Sequence, residues 1–447
     1  MSRMLSVGAL TMVLGACASV GPVELEPQVA PPPVYATDLP PSGIDRDWWL
    51  GYDDPVLDAL VRRGLEANLD IDAAADRLAS AAALLRAERA DRLPSVDGTA
   101  QAGVALSNDE QVTATAGLFG LFNPDISGRL AAEIRAAAAD YAEREFLLAD
   151  QRRIVAAAIA NQYIEYRRTG AQLELLDEST DLQERTLRIV TLRFEAGLAA
   201  NLDVRRAAAD LAQTRARRGL IAISRAEAQN ALAVLLAEPP GLFEIAALGA
   251  SEIPDYGLGP PAGVPADLLR RRTDILAAEA RLARAAADVG IEQADLRPSL
   301  TIPGTLGLGD GSLGGLFSDF LVSIGAALDL PIFDGGRRRA EVGAAQADAQ
   351  ARLAEYRAIF LQSLGEVENA LVAIDAYRER NTELAEAIEQ SETALSQSNA
   401  LYREGLTSLF DVLDAQRQLI ASRQALIDSE AALASSYAAF HAAIGSD

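Results

Sequence analysis

Four short segments of the chain alternate between apolar and polar residues. In residues 96–106, Val96, Val104 and the small or apolar residues at the other even positions alternate with residues such as Asp97 and Gln101. A period of two places the apolar side chains on one face of a strand and the polar ones on the other. Alternation over about ten residues is typical of transmembrane barrels, although a sheet packed on a soluble core gives the same pattern. We predict strands at about 95–106, 111–122, 299–308 and 320–331.

Two long segments have the composition of continuous helix. All 19 prolines lie outside residues 127–237 and 332–447, and a proline inside a helix costs roughly 3 kcal/mol. Each segment contains one Gly-Leu pair, Gly197-Leu198 or Gly405-Leu406, where glycine allows one helix to end before the next begins. We therefore predict helical hairpins at about 127–237 and 335–445. The first helix of each would have about 70 residues and a length on the order of 100 Å.

A narrow apolar seam follows these predicted helices. Apolar residues recur at steps of three and four between Leu173 and Phe194, and again between Leu409 and Tyr437. A mean period of about 3.5 residues predicts left-handed coiled-coil pairing. So narrow a seam would stabilise an isolated pair of helices only marginally. It is sufficient for a pair that packs against many neighbouring helices. A solid bundle or a fibrous coiled coil is the alternative.

An internal repeat divides the chain into halves. One set of residues recurs after 204 positions and another after 208. The matching pairs include Arg77-Leu78-Ala79 with Arg281-Leu282-Ala283, Pro94-Ser95 with Pro298-Ser299, Gly197-Leu198 with Gly405-Leu406, and Asp203-Val204 with Asp411-Val412. Each half therefore reads as a helix, two strands, a long helix, a turn and a second long helix. We predict a first structural repeat at 44–237, a linker at 238–262 and a second repeat at 263–447.

The N-terminus has the features of a lipoprotein export signal. Arg3 precedes a short apolar stretch, and Leu14-Gly15-Ala16-Cys17 follows it. The stretch is too short to span a bilayer, which indicates a removable signal at 1–16. The tetrapeptide resembles the bacterial lipobox, whose cysteine carries acyl chains such as palmitate. We predict lipid attachment at Cys17 and an extended tether at 17–43; a chance cysteine beside an ordinary cleavage site is the alternative.

Composition limits the possible chemistry. The chain has 40 basic and 64 acidic residues and a formal net charge of −24, which argues against nucleic acid as a partner. Cys17 is the only cysteine and His441 the only histidine, so Cys/His zinc sites and histidine-dependent triads are excluded. No spacing singles out a carboxylate pair for hydrolysis, which leaves a hydrolase as a minor alternative. We predict a protein that is not an enzyme and has no metal or cofactor.

The number of strands predicts an assembly. A sheet exposed to lipid must close so that no edge remains unpaired, and bacterial barrels begin at about eight strands. One chain offers four strands, so two copies would supply eight and three would supply twelve. A barrel of about eight strands is filled by side chains. A conducting pore therefore favours a homotrimer.

Several motifs resemble those of one protein family. They are Trp48-Trp49, Asp54-Pro55, Arg271-Arg272-Thr273-Asp274-Ile275, Pro331-Ile332-Phe333-Asp334-Gly335-Gly336, Tyr402-Arg403-Glu404-Gly405-Leu406 and Asp411-Val412-Leu413-Asp414-Ala415-Gln416. Over nearly the whole mature chain, the sequence resembles the TolC-like outer-membrane efflux proteins, in particular the lipoprotein branch that serves resistance-nodulation-division pumps. The family often has proline where this chain has Thr273.

The resemblance implies a mainly helical fold with a small transmembrane barrel. Three copies would form a twelve-strand barrel in the outer membrane and a twelve-helix tunnel extending into the periplasm. The tunnel would be closed at its tip and would open when a periplasmic adaptor and an inner-membrane pump engage it. The implied function is passive export of small molecules. A channel for type I protein secretion and a structural coiled-coil lipoprotein are the alternatives.

The resemblance also implies a gate. Asp411 and Asp414 match the family's acidic ring, and Tyr402 matches a tyrosine that holds the closed tip. Asp203 is the repeat partner of Asp411, and Arg206 stands where the partner of Asp414 would be. Some relatives have a gating arginine two positions after Gly405, where this chain has Thr407, so the resemblance implies no such lock here.

Simple physics adds two expectations about this gate. Carboxylates crowded around one axis would favour cations and raise some pKa values. Alternatively, Asp411 could be an acid favoured at a helix start by the helix dipole. The resemblance, in turn, implies that the adaptor contacts the two Gly-Leu turns, that is Gly197, Leu198, Gly405 and Leu406.

Overall fold

The computed structural model describes residues 47–106, 110–245, 252–257, 270–308 and 320–445. It begins with a 3-10 helix at Trp48–Tyr52. The further helices are α1 Pro55–Ala67, α2 Leu69–Ala90, α3 Arg129–Glu195, α4 Asn201–Leu235, α5 Thr273–Ala294, α6 Arg337–Arg403 and α7 Leu409–Ile444. The strands are β1 Ser95–Leu106, β2 Glu110–Phe122, β3 Ser299–Leu308, β4 Phe320–Ile324 and β5 Ala327–Asp329. No helix within these ranges has the length and apolarity to cross a membrane.

The two halves of the chain contain matching elements. The long helices α3 and α6 have 67 residues each and begin 208 positions apart. The shorter helices α2 and α5 have 22 residues each and begin 204 positions apart. These are the two spacings seen in the sequence, so the repeat in sequence is also a repeat of secondary structure.

The compact units of the fold do not follow the repeats. Of the described residues, the first unit holds 75–147 and 274–359, with the strands, and the second holds the rest, with the helical hairpin ends. Each unit therefore combines parts of both halves of the sequence. The predicted boundaries at 44–237 and 263–447 describe the duplication in sequence rather than compact bodies.

The first unit contains an antiparallel sheet with the strand order β1-β2-β3-β4. Its register aligns Gly98 with Leu118, Leu118 with Leu306, and Leu306 with Val322. Even-numbered residues thus share one face across all four strands. On the other face Thr305 and Ser323 share a hydrogen bond of 2.6 Å between their hydroxyls. The sheet consequently has the apolar face and the more polar face that the alternation predicts.

The fourth predicted strand, 320–331, is interrupted. β4 and β5 both pair with β3, and residues 325 and 326 between them lie outside either strand. The cause is Pro303 of β3, which lies opposite this gap. Its carbonyl accepts a hydrogen bond of 2.9 Å from the Gly325 N–H, but proline has no N–H to donate in return. The ladder therefore loses one bond at this point.

The second unit has an aromatic core around the end of α7. The Trp48 ring stacks on the His441 ring at a centroid distance of 5.3 Å, and the Tyr256 hydroxyl lies 2.7 Å from His441 Nε2. Tyr52 donates a hydrogen bond of 2.6 Å to the Ala434 carbonyl. Burial lowers the pKa of His441 to about 3. The only histidine is thus a neutral core residue at physiological pH.

Candidate functional site

The two helical hairpins turn through the same backbone structure. Gly197 and Gly405 both have φ of +74°, a left-handed conformation that residues with a Cβ rarely adopt. The Leu198 N–H donates to the Arg193 carbonyl at 2.7 Å, and the Leu406 N–H donates to the Leu401 carbonyl at 2.9 Å. These 6→1 bonds are the signature of the Schellman motif. Both Gly-Leu pairs therefore end a helix as predicted for glycine at such positions.

Each turn exposes an apolar side chain. Leu198 is 69% exposed and Leu406 is 73% exposed. In the helices that follow, Leu202 and Phe410 are also more than half exposed. Apolar residues grouped at one place on a surface commonly mark a contact with another protein.

Beside the turns, an apolar cluster joins the two hairpins. We call it the tip cluster. It consists of Val190, Ala207, Leu395, Leu409, Val412, Leu413 and Leu419, all of them buried. Since these residues come from α3, α4, α6 and α7, the ends of all four helices share one core.

Asp411 stabilises the start of α7. Its Oδ2 accepts hydrogen bonds of 2.6 Å from the Ser408 hydroxyl, 3.0 Å from the Ser408 N–H and 2.6 Å from the Thr407 hydroxyl. These bonds lower the pKa of Asp411, because they favour the ionised carboxylate. These bonds agree with the helix-start interpretation of Asp411. The rise in pKa expected from crowding concerns several copies around one axis and stays a prediction. Asp414, one turn further on, is also exposed.

Tyr402 contacts an arginine from the other hairpin. The Arg193 guanidinium carbon lies 4.8 Å from the centre of the Tyr402 ring. Arg193 Nη1 donates to the carbonyls of Tyr402 and Arg403 at 3.2 Å and 3.4 Å, which are orphan acceptors at the end of α6. A cation at the C-terminus of a helix is also favoured by the helix dipole. Arg193 thus connects the end of α3 to the end of α6.

The surroundings of the Tyr402 hydroxyl are unusual. The hydroxyl is buried and has no hydrogen-bond partner among the described residues. Burial raises the pKa of Tyr402, Arg193 opposes that rise, and Asp203 adds to it. The structure therefore brings Tyr402 and Asp203 into one electrostatic environment, together with Arg193.

Arg193 was not predicted from the sequence as a site residue. A signal for it existed, since a basic residue in the last turn before a glycine often caps a helix. That signal would have assigned Arg193 to its own helix, α3, rather than to α6. Arg206 is exposed, and Cys17 lies outside the described residues.

A family model supplies the identification. The model described as outer membrane efflux protein matches residues 60–238 and 264–446. The chain belongs to this family. The two matched ranges correspond to the two halves of the internal repeat.

Individual relatives agree with this membership. The chain is 30% identical over 461 residues to the pyoverdine export outer membrane protein OpmQ of Pseudomonas aeruginosa, covering 99% of this chain and 96% of OpmQ. It is 29% identical over 392 residues to the toluene efflux pump outer membrane protein TtgI of Pseudomonas putida, covering 85% of this chain and 83% of TtgI.

A solved structure confirms the fold class. The outer-membrane channel OprN is 29% identical and superposes with a TM-score of 0.85, covering 96% of this chain and 98% of OprN. The chain is mainly helical with few strands, and its structural neighbours are trimeric channels with a helical tunnel and a strand barrel. The protein is thus an outer-membrane efflux channel protein, and its family consists of channel proteins rather than enzymes.

Proposed function

We propose that three copies of this chain form a passive duct that exports small molecules across the outer membrane. The observation that carries the proposal is the sheet of the first unit. It has an apolar face and, among the residues that the structure describes, two unpaired edges: β1 on one side, and β4 with β5 on the other. A sheet in lipid must have no open edge. Joining β4 of one copy to β1 of the next would close three sheets into a barrel of twelve strands.

The helices suit the same assembly. Each chain supplies four hairpin helices, and the first of each pair has 67 residues. Three copies would place twelve hairpin helices side by side in a tunnel, and six of them would be the long α3 and α6. At about 1.5 Å per residue, a helix of this length spans about 100 Å, which is far more than a globular core requires.

Relatives support small molecules as the cargo. OpmQ is named for pyoverdine export and TtgI for toluene efflux. We infer that this chain works with a periplasmic adaptor and an inner-membrane pump, because a passive duct contains no energy source of its own. The exposed Leu198 and Leu406 at the hairpin turns are the surface we assign to the adaptor.

The gate would lie at the same turns. Tyr402, Asp203, Asp411 and Asp414 are the residues we assign to it, with Arg193 added by its contact with Tyr402. Three copies would bring six exposed carboxylates of Asp411 and Asp414 around one axis. Such a ring favours the passage of cations.

Conductance of the purified full-length protein in planar lipid bilayers tests the duct and the acidic ring. We expect stable channels that prefer cations, and we expect Asp411→Asn with Asp414→Asn to lower the cation preference. Glu383→Gln with Glu386→Gln is the matched control. Both residues are exposed on α6, and their substitution removes the same number of negative charges at a place outside the proposed gate. Absence of channels in the unaltered protein would refute the proposal.

The cargo and the lipid anchor need separate tests. A strain without the protein should become more sensitive to dyes and solvents; loss of one secreted protein with unchanged sensitivity would indicate protein secretion instead. For the anchor, we propose acylation at Cys17 and contact with outer-membrane lipid. Cys17→Ser should then remove the mass of the acyl groups from the protein. A mass that changes only by the substitution itself would exclude the modification.

A further inference from the structure

Three polar residues lie inside the apolar packing between the hairpins. Gln183 and Thr186 of α3 are 5% and 9% exposed, and Gln416 of α7 is 1% exposed. Gln416 lies between Leu413 and Leu419, which both belong to the tip cluster. We call these three residues the amide layer.

The hydrogen bonds of the amide layer are incomplete. Gln416 Nε2 donates to the Thr186 hydroxyl oxygen at 2.8 Å, and the Thr186 hydroxyl donates to the Leu182 carbonyl at 3.1 Å. In contrast, Oε1 of Gln416 and Oε1 of Gln183 are buried without a hydrogen-bond partner among the described residues. One acceptor on α3 is used and a second, close by, is unused.

Stability of this arrangement alone does not explain these residues. A buried carbonyl without a partner loses its hydration and gains nothing in return. An apolar side chain of similar size would pack in the same place without that loss. Polar residues in coiled-coil seams instead commonly select one register of the helices over another.

The spacing of the two acceptors suggests what is selected. Gln183 and Thr186 are three residues apart on α3, so their positions differ by about 4.5 Å along the helix axis. Gln416 can therefore pair with either residue if α7 moves along α3 by about one turn. Shifts of about one turn between packed helices are a known form of two-state switching.

We propose that Gln416 is a two-position latch between the hairpins. It pairs with Thr186 in the present arrangement and with Gln183 in a second arrangement, in which α7 is displaced along α3. The present arrangement also contains the Arg193 link between α3 and α6, so we assign it to joined hairpin ends and the second to separated ends. The latch rests on the proposed gate and names the residues that position it.

Two substitutions should act in opposite directions. Thr186→Val removes the partner of the first arrangement and should raise the fraction of time the channel is open by about fivefold, the factor expected for one neutral hydrogen bond. Gln183→Leu removes the partner of the second arrangement and should lower that fraction by about as much. The measurement is single-channel recording of the full-length protein in planar bilayers.

Three controls separate a latch from a merely structural contact. Gln418→Leu alters an exposed glutamine of the same helix and should leave the open fraction unchanged. In a Gln416→Leu background, Thr186→Val and Gln183→Leu should have no further effect, because neither partner can then be used. Gln183→Leu should also raise Tm by about 2 °C, since it removes a buried carbonyl that lacks a partner.

The possible outcomes are distinct. Effects in the same direction, or effects that persist without Gln416, would overturn the latch while leaving the duct intact. A wild-type protein that forms no channels would overturn the proposed function and the latch with it. Opposite effects that vanish with Gln416→Leu would support both.

Discussion

The two hairpin ends share one backbone but differ in their side-chain chemistry. Gly197 and Gly405 have the same φ of +74°, and the helices before them are equal in length, with 67 residues each. After the turns the likeness ends. At the start of α7, Ser408 and Asp411 bond to each other, whereas α4 begins after Ala200, which has no side chain able to cap it.

This difference shows how a duplicated structure can acquire separate roles. The glycine turn is fixed by backbone sterics, so it recurs in both halves. The side chains beside the turn do not determine its backbone conformation, so they can be substituted without loss of the turn. Asp411 is bound to the start of its own helix, while its repeat partner Asp203 acts electrostatically on Tyr402 of the other hairpin.

Among the differences between the two hairpins, we expect the contact made by Arg193 to have the largest effect on stability. Leu401 occupies the equivalent position in the second half, so the second hairpin has no counterpart to this contact. Arg193→Ala should destabilise the folded protein by about 2 kcal/mol, since it removes charged hydrogen bonds and a cation–π contact. It should also raise the open fraction of the channel.

Thermal unfolding in detergent and single-channel recording measure these two effects. Arg188→Ala is the control, because Arg188 is exposed on the same helix. If Arg193→Ala and Arg188→Ala change the stability and the open fraction equally, the contact of Arg193 with the other hairpin contributes nothing to either.

The glycine turns should give a smaller and symmetrical effect. Gly197→Ala and Gly405→Ala should each cost about 1 kcal/mol, because a residue with a Cβ is strained at positive φ. Apart from the adjacent residues in the chain, no atom of the described residues lies within 4 Å of either added Cβ, so the cost comes from the backbone and not from a clash.

Unfolding of the two variants under identical conditions measures this cost. Gly219→Ala, in the interior of α4 with equally open surroundings, should instead stabilise the protein by roughly 0.5–1 kcal/mol. Clearly unequal costs at Gly197 and Gly405 would show that the two turns are not equivalent.

The smallest expected effect is on the fall of Tm at acidic pH, through protonation of Asp411. Hydrogen bonds hold the pKa of Asp411 below its ordinary value of 3.8, so its contribution to stability is fully present above that pH. The contribution is lost as the pH falls through the lower pKa of the folded state. Between about pH 5 and about pH 2, Tm should therefore fall more for the wild type than for Ser408→Ala, which lacks one of these bonds. Parallel Tm curves would contradict this cause of the lowered pKa.

Much of the fold could be predicted because it depends on local rules. Proline exclusion and Gly-Leu pairs located the helical hairpins, and alternation identified the two faces of the sheet. The interruption of the fourth strand was missed because it depends on Pro303 in a neighbouring strand. Sequence periodicity describes one strand at a time and contains no information on which residue lies opposite.

The site was less predictable for the same reason. The resemblance indicated Tyr402, Asp411 and Asp414, and the internal repeat added Asp203 as the partner of Asp411. A role of Asp411 at a helix start was the alternative. Arg193 and the amide layer depend on contacts between residues about 200 positions apart, such as that between Thr186 and Gln416. Only the packed hairpins show which polar residues meet and which remain without a partner.

The equal length of α3 and α6 has a consequence for symmetry. In the proposed trimer, six turns of identical backbone would form a ring that approximates sixfold symmetry, although its chemistry alternates between two kinds of turn. A partner with threefold symmetry could then dock in two rotational settings about 60° apart. The backbone would not distinguish these settings. The side chains that differ between the two turns would then determine which setting is occupied, and Arg193 and Asp411 are the main ones.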